Sequence, residues 1–258
     1  MRVVSALGLA CGLAFALPAQ AQDVVAIGEV HDNPRHHAYQ AETMATLHPA
    51  AIVFEMLTPD QAARITPALR SDSSALAAAL DWEESGWPDF AYYYPIIAAA
   101  PKARIYGAGV ARDAARAAMV EGVADTFGPD ATRFGLTEPL PEAQQKARMV
   151  LQAEAHCNAL PPEQLPAMID IQRLRDAVMA QTTLAALQDT GGPVAVIAGN
   201  GHLRRDWGMP ALLAIAAPDV TLHVTGQTED GAPFDPGLYD NVQDAPAVNR
   251  PDPCDAFR

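Results

Sequence analysis

Short apolar runs of strand length recur along this chain, and three of them end on ionisable residues. Val24-Val25-Ala26-Ile27, Ala51-Ile52-Val53-Phe54, Ala103 to Gly107, Val194-Ala195-Val196-Ile197 and Thr221-Leu222-His223-Val224 each read as a buried strand. Helical spacing fills the intervals at 34–47, 60–69, 74–80, 90–100 and 209–217, with Pro34 placed to open the first of these. Strands alternating with helices predict an α/β fold, a mostly parallel sheet flanked by helices. The stretch 111–188 has no strand pattern. Its helical segments, 111–127, 142–156 and 163–188, are broken at Gly128-Pro129 and Pro161-Pro162 and predict a smaller all-helical lobe. The domain therefore spans 22–227, and the Pro-, Asp- and Gly-rich tail 228–258 is expected to be irregular and wrapped on the surface.

In a parallel sheet the carboxyl ends of all strands share one edge, and ligands bind there. The first strand runs into Gly28-Glu29-Val30-His31-Asp32, the second into Glu55, and the fourth into Gly199-Asn200-Gly201-His202. Glu29, His31, Glu55 and His202 are thus expected to meet in one cleft. Two carboxylates and two imidazoles suit either of two chemistries. They can hold a divalent metal ion with an open position for water, or they can act as a metal-free acid/base set in which Glu orients His. Either would serve a hydrolase. A purely stabilising network is the least favoured reading, since desolvating so many charges is costly without a ligand. His36 and His37 follow on the first helix, where a polar helix surface is the default and a place in the cleft the alternative.

The N-terminus carries an export signal. Arg2 precedes an apolar stretch, Val3 to Leu17, and Ala19-Gln20-Ala21 is a small-x-small cleavage site, so residues 1–21 read as a signal peptide. Gly8-Leu9-Ala10-Cys11 is a poor lipoprotein signal, which disfavours lipid anchoring. The expected location is the periplasm or cell envelope, with no transmembrane segment in the remaining chain. A net charge of −14 with no basic stretch excludes nucleic acid and anionic membrane surfaces as partners. Two cysteines lie beyond the leader, Cys157 and Cys254. In an oxidising compartment one disulfide is favoured over two buried thiols, and it would pin the tail to the helical lobe.

The segment from Trp82 to Ile97 contains Trp87, Phe90, Tyr92, Tyr93, Tyr94 and Pro95. Packing between sheet and lobe is the plain explanation. The functional one is a flat apolar pocket with phenol oxygens, able to take a planar cofactor. On the lobe, Gln172, Arg173, Arg175 and Asp176 read as a solvated helix face, one or two of which could line the cleft.

Taken in order, these motifs resemble the ChaN family. The resemblance is carried by Gly28-Glu29-Val30-His31-Asp32-Asn33, His36-His37, Gln40 and Phe54-Glu55-Met56. It continues through Trp87, Tyr93-Tyr94-Pro95-Ile96, Gln172-Arg173-x-Arg175-Asp176 and Gly199-Asn200-Gly201-His202-x-Arg204. It implies a haem-binding envelope protein linked to iron uptake, within the Tiki superfamily, which also holds metal-dependent proteases and erythromycin-esterase-like hydrolases. It further implies a tyrosine ligand to haem iron, with Tyr93 the first choice and Tyr94 the second, and a homodimer that sandwiches haem. Glu29, His31, Glu55 and His202 take the places of the superfamily's Glu/His motif.

Overall fold

The computed structural model describes residues 22–257, so the expected signal peptide lies outside the described residues. Alternation within each apolar run explains the architecture. In β1 (Val24–Glu29), β2 (Ala51–Phe54), β3 (Arg104–Gly107) and β4 (Val194–Gly199), successive side chains point to opposite faces. Val24, Ala26, Val53, Val194 and Val196 enter one core, while Ile27, Ile52, Phe54, Ala195 and Ile197 enter the other. A sheet apolar on both faces must be covered on both. With β5 (Leu222–Glu229) and β6 (Asn241–Ala245) it forms one six-stranded sheet in the order β3-β2-β4-β1-β5-β6, every pairing parallel.

The helices sort onto the two faces in sequence blocks. On one side lie α1 (Pro34–Leu47), α2 (Pro59–Ala63), α3 (Ser73–Ala79), α4 (Trp82–Ser85) and α5 (Phe90–Ala99). Met44, Leu76, Trp82, Phe90, Tyr93 and Ile96 bring most of these into the second core. The other face is covered by α6 (Arg112–Glu121), α7 (Val123–Phe127), α9 (Leu165–Thr190) and α10 (Met209–Ala216), with α8 (Glu142–Ala155) packed on α9. Each fully buried aliphatic or aromatic side chain contributes about 1.5–3 kcal/mol. The helical stretch therefore closes one face of the sheet.

Several boundaries differ from the sequence reading. The helix expected over 60–69 stops at Ala63, because Thr66 precedes Pro67 and a residue before proline is pushed out of the helical region. The helix expected over 111–127 is split at Gly122, whose φ of 90° no helix accommodates. The tail is not wholly irregular: residues 241–245 add a sixth strand, which its polar composition disguised. Beyond it, Arg250 forks onto Asp32 and Glu229 at 2.7–2.8 Å, and Cys254 is bonded to Cys157, 97 residues away in sequence. Among the described residues no helix is long and apolar enough to cross a membrane.

Candidate functional site

The central strands β1 and β4 run side by side with Glu29 opposite Gly199, and β2 flanks β4. Their ends bring Glu29, His31, Glu55 and His202 together. Glu29, the last residue of β1, is 2% exposed and surrounded by donors. Its Oε1 accepts from His31 Nδ1 at 2.7 Å and from the Tyr93 hydroxyl at 2.9 Å, and its Oε2 accepts from Gln40 Nε2 at 2.8 Å. Burial alone would raise its pKa, but His31, His37 and Gln40 outweigh burial and hold it below the usual value.

Glu55 is the second buried carboxylate. Its Oε2 accepts from the Gly199 amide at 2.8 Å, and its Oε1 lies 3.4 Å from His202 Nε2. His202 Nδ1 in turn meets Asp176 Oδ1 at 2.6 Å. Burial would lower the His202 pKa; Glu55 and Asp176 override it and raise the imidazole to about 9. His31 shifts the same way, burial being outweighed by Glu29 and Glu55. At neutral pH His202 is therefore an imidazolium, held in a row between Glu55 and Asp176. An imidazolium there donates a proton and stabilises negative charge, so His202 is not poised as a base.

Glycine is required where the row crosses the sheet edge. A Cβ on Gly199 would stand 2.9 Å from His31 Nε2 and 3.7 Å from Glu55 Oε2. One on Gly28 would stand 2.2 Å from Asn200 Oδ1. Asn200 itself bridges to the neighbouring strand, exchanging hydrogen bonds with the Gln227 backbone at 2.7 and 2.9 Å. A cavity of about 310 Å³ opens beside Glu55, with Trp87, Arg175 and Arg112 in its wall. Trp87 sets its ring edge-on to His31, 4.9 Å between centroids.

Other expected roles are redistributed. His36 and His37 are buried rather than on a polar helix surface. His36 accepts from the Val30 amide and donates to the Thr228 carbonyl, and His37 Nε2 donates to the His31 carbonyl, so both fix backbone around the motif. Tyr93, the first choice for an iron ligand, is 1% exposed and its hydroxyl donates a hydrogen bond to Glu29. Burial and the adjacent Glu29 charge raise its pKa, which opposes a tyrosinate there. The Tyr94 hydroxyl donates to the Arg70 carbonyl at 3.0 Å. Nor do the four motif residues form the metal cage considered from sequence. Among the described residues no three His, Cys, Asp or Glu side chains converge on one ion.

Among Gln172, Arg173, Arg175 and Asp176, the lobe residue that joins the row is Asp176. It is 2% exposed, not on a solvated face, and it anchors His202. The available signal was its register: Asp176 stands seven residues after Ile169 and four before Ala180, on the buried stripe of α9.

The family model described as haem-binding uptake, Tiki superfamily, ChaN matches residues 16–213, most of the chain, with Glu29, His31, Glu55, Asp176 and His202 inside the match. The chain belongs to the ChaN family. Among solved structures, ChaN of Campylobacter jejuni, seen with cofacial haem binding, is similar in fold. Its TM-score is 0.65 at 19% identity, over 86% of this chain and 87% of that one. The type III effector HopBA1 is a more distant likeness, with a TM-score of 0.46 at 13% identity over 88% of each chain. No curated protein matches the chain. The α/β fold with a parallel sheet flanked by helices is thus that of ChaN.

Proposed function

We propose that this chain binds haem in the bacterial periplasm or cell envelope and serves iron uptake. Membership of the ChaN family carries the reading. The export pattern of residues 1–21 and the two cysteines beyond it support the location. A tyrosinate supplies haem iron with an anionic oxygen ligand, so the ligand must be a phenol whose oxygen is not committed to another group. Tyr93 and Tyr94 are engaged. The Tyr39 and Tyr92 hydroxyls make no hydrogen bond among the described residues, and both side chains are half-buried. Tyr39 shares the wall of a cavity of about 360 Å³ with Arg35, a cation suited to a propionate. The ligand is therefore Tyr39 or Tyr92, with Tyr93 and Tyr94 in supporting places, and a homodimer enclosing haem belongs to the same proposal.

Hemin titration followed by absorption tests this. The protein should develop a tyrosinate-type band that the Tyr39→Phe/Tyr92→Phe double variant loses and the Tyr93→Phe/Tyr94→Phe variant keeps. The opposite pattern would return the ligand to Tyr93 or Tyr94, and no band in the native protein would end the haem reading. Light scattering with and without hemin reports the dimer.

The Asp176–His202–Glu55 row favours a second reading, hydrolysis of an ester or amide without metal. Glu55 would accept a proton from water in the adjacent cavity, and the His202 imidazolium would stabilise the developing oxyanion. Ester hydrolysis that survives Glu55→Gln and His202→Gln unchanged would exclude it.

A further inference from the structure

Beyond Asp176, at the end of the sheet-edge row, α8, α9 and the turn after β4 enclose a cavity of about 240 Å³. It shares no lining residue with the cavities beside Glu55 and Tyr39. One part of its wall is apolar, from Leu151 and Ile169. Another is cationic, where the guanidinium groups of Arg148 and Arg204 lie 5.1 and 3.8 Å from the centroid of the Trp207 ring.

The two arginines differ in what offsets their charge. Arg204 is forked onto Asp206 at 3.0 and 2.7 Å. Arg148 is 7% exposed, its Nη2 donates to the Trp207 carbonyl at 3.2 Å, and its Nε has no partner. Among the described residues no carboxylate pairs with it. Burial lowers its pKa to about 10, so it stays protonated at neutral pH. Gln152, on the same wall, also has an unpartnered buried amide oxygen. Turning that amide over would put a second donor in the same place. The only carboxylate in the wall, Asp176, hydrogen-bonds to His202 and makes no contact pair with Arg148.

Asp176 and Asp206 act on Arg148 only through space, and a buried guanidinium with no salt-bridged partner favours a ligand that brings a carboxylate into contact with it. We propose that this cavity binds a small organic carboxylate, its oxygens held by Arg148 and Gln152 and its apolar body lying against Leu151 and Ile169. The volume is below that of drug-sized sites, which limits the occupant to a compact acid.

Isothermal titration calorimetry with octanoate, and with octanol as its uncharged counterpart, tests the assignment on purified protein. Octanoate should bind and octanol should bind far more weakly. Arg148→Met keeps the volume and removes the charge, and it should weaken octanoate by about tenfold or more. Ala155→Trp fills the cavity from its rim with Arg148 intact, and should abolish octanoate binding while leaving the hemin spectrum unchanged. That variant also keeps the test decisive if Arg148→Met fails to fold. The assignment is overturned if folded native protein gives no heat with octanoate, if octanol binds equally, or if folded Arg148→Met or Ala155→Trp binds octanoate like the native protein.

Discussion

The hydroxyl of Tyr93 donates to Glu29 Oε1 across 64 residues of sequence, joining α5 to the end of β1 inside the protein. The bond turns the aromatic segment from a candidate ligand platform into a support for the motif carboxylate. Tyr93→Phe removes the donor and nothing else, leaving Glu29 to His31 and Gln40. A hydrogen bond to a charged acceptor contributes about 1.5–3 kcal/mol. Urea unfolding of Tyr93→Phe should show a loss of about 2 kcal/mol with an unchanged slope. The hemin absorption band should persist. If the band disappears while stability is unchanged, Tyr93 touches the iron after all.

His202 makes stability depend on pH. Its folded pKa of about 9 lies above the ordinary 6.5, because Glu55 and Asp176 outweigh the burial that opposes them. A raised pKa means the folded state holds the proton more tightly. The resulting stabilisation is fully present below pH 6.5 and is lost as pH rises through about 9. The shift corresponds to roughly 3 kcal/mol at most. Unfolding midpoints of the native protein and His202→Gln should lie furthest apart near pH 6 and converge above pH 9. A gap that stays constant with pH would mean His202 is neutral in the folded protein.

Much of this was readable in the residues. Val24 to Ile27, Ala51 to Phe54 and Val194 to Ile197 carry no polar side chain, and only a sheet buried on both faces explains that composition in so short a run. Once those strands are parallel, Glu29, Glu55 and His202 must share an edge, and they do. What pattern could not give is the partner of each hydrogen bond. Three tyrosines in a row look alike in sequence. Helical rotation buries Tyr93 against Glu29, points Tyr94 at the Arg70 carbonyl, and leaves Tyr92 stacked on His37. β6 escaped notice for a different reason. An edge strand need not be apolar, and Asn241 to Ala245 pairs through backbone groups with β5.

Gly199 offers a test of the sheet-edge geometry. His31 cannot simply move aside from an added methyl, since Glu29 holds its Nδ1 at 2.7 Å and Trp87 stands against its ring. Gly199→Ala should therefore loosen the His31–Glu29 bond and cost about 1–3 kcal/mol as overpacking. Imidazole titration by NMR should show the His31 pKa falling back toward its ordinary value. An unshifted titration would place His31 away from Gly199.

The bond between Cys157 and Cys254 closes a long loop between the lobe and the tail. In the chain-entropy account, closing a loop of this length stabilises by about 4–5 kcal/mol, because the unfolded chain loses more freedom than the folded one. The folded state holds the tail by other means as well, through Arg250 on Asp32 and Glu229 and through the β5–β6 pairing. Reduction should therefore leave the fold in place while lowering its thermal midpoint by several degrees. The Cys157→Ser/Cys254→Ser variant should behave like the reduced native protein and should not respond to reductant. A native protein whose midpoint is indifferent to reductant would show that the two cysteines remain thiols.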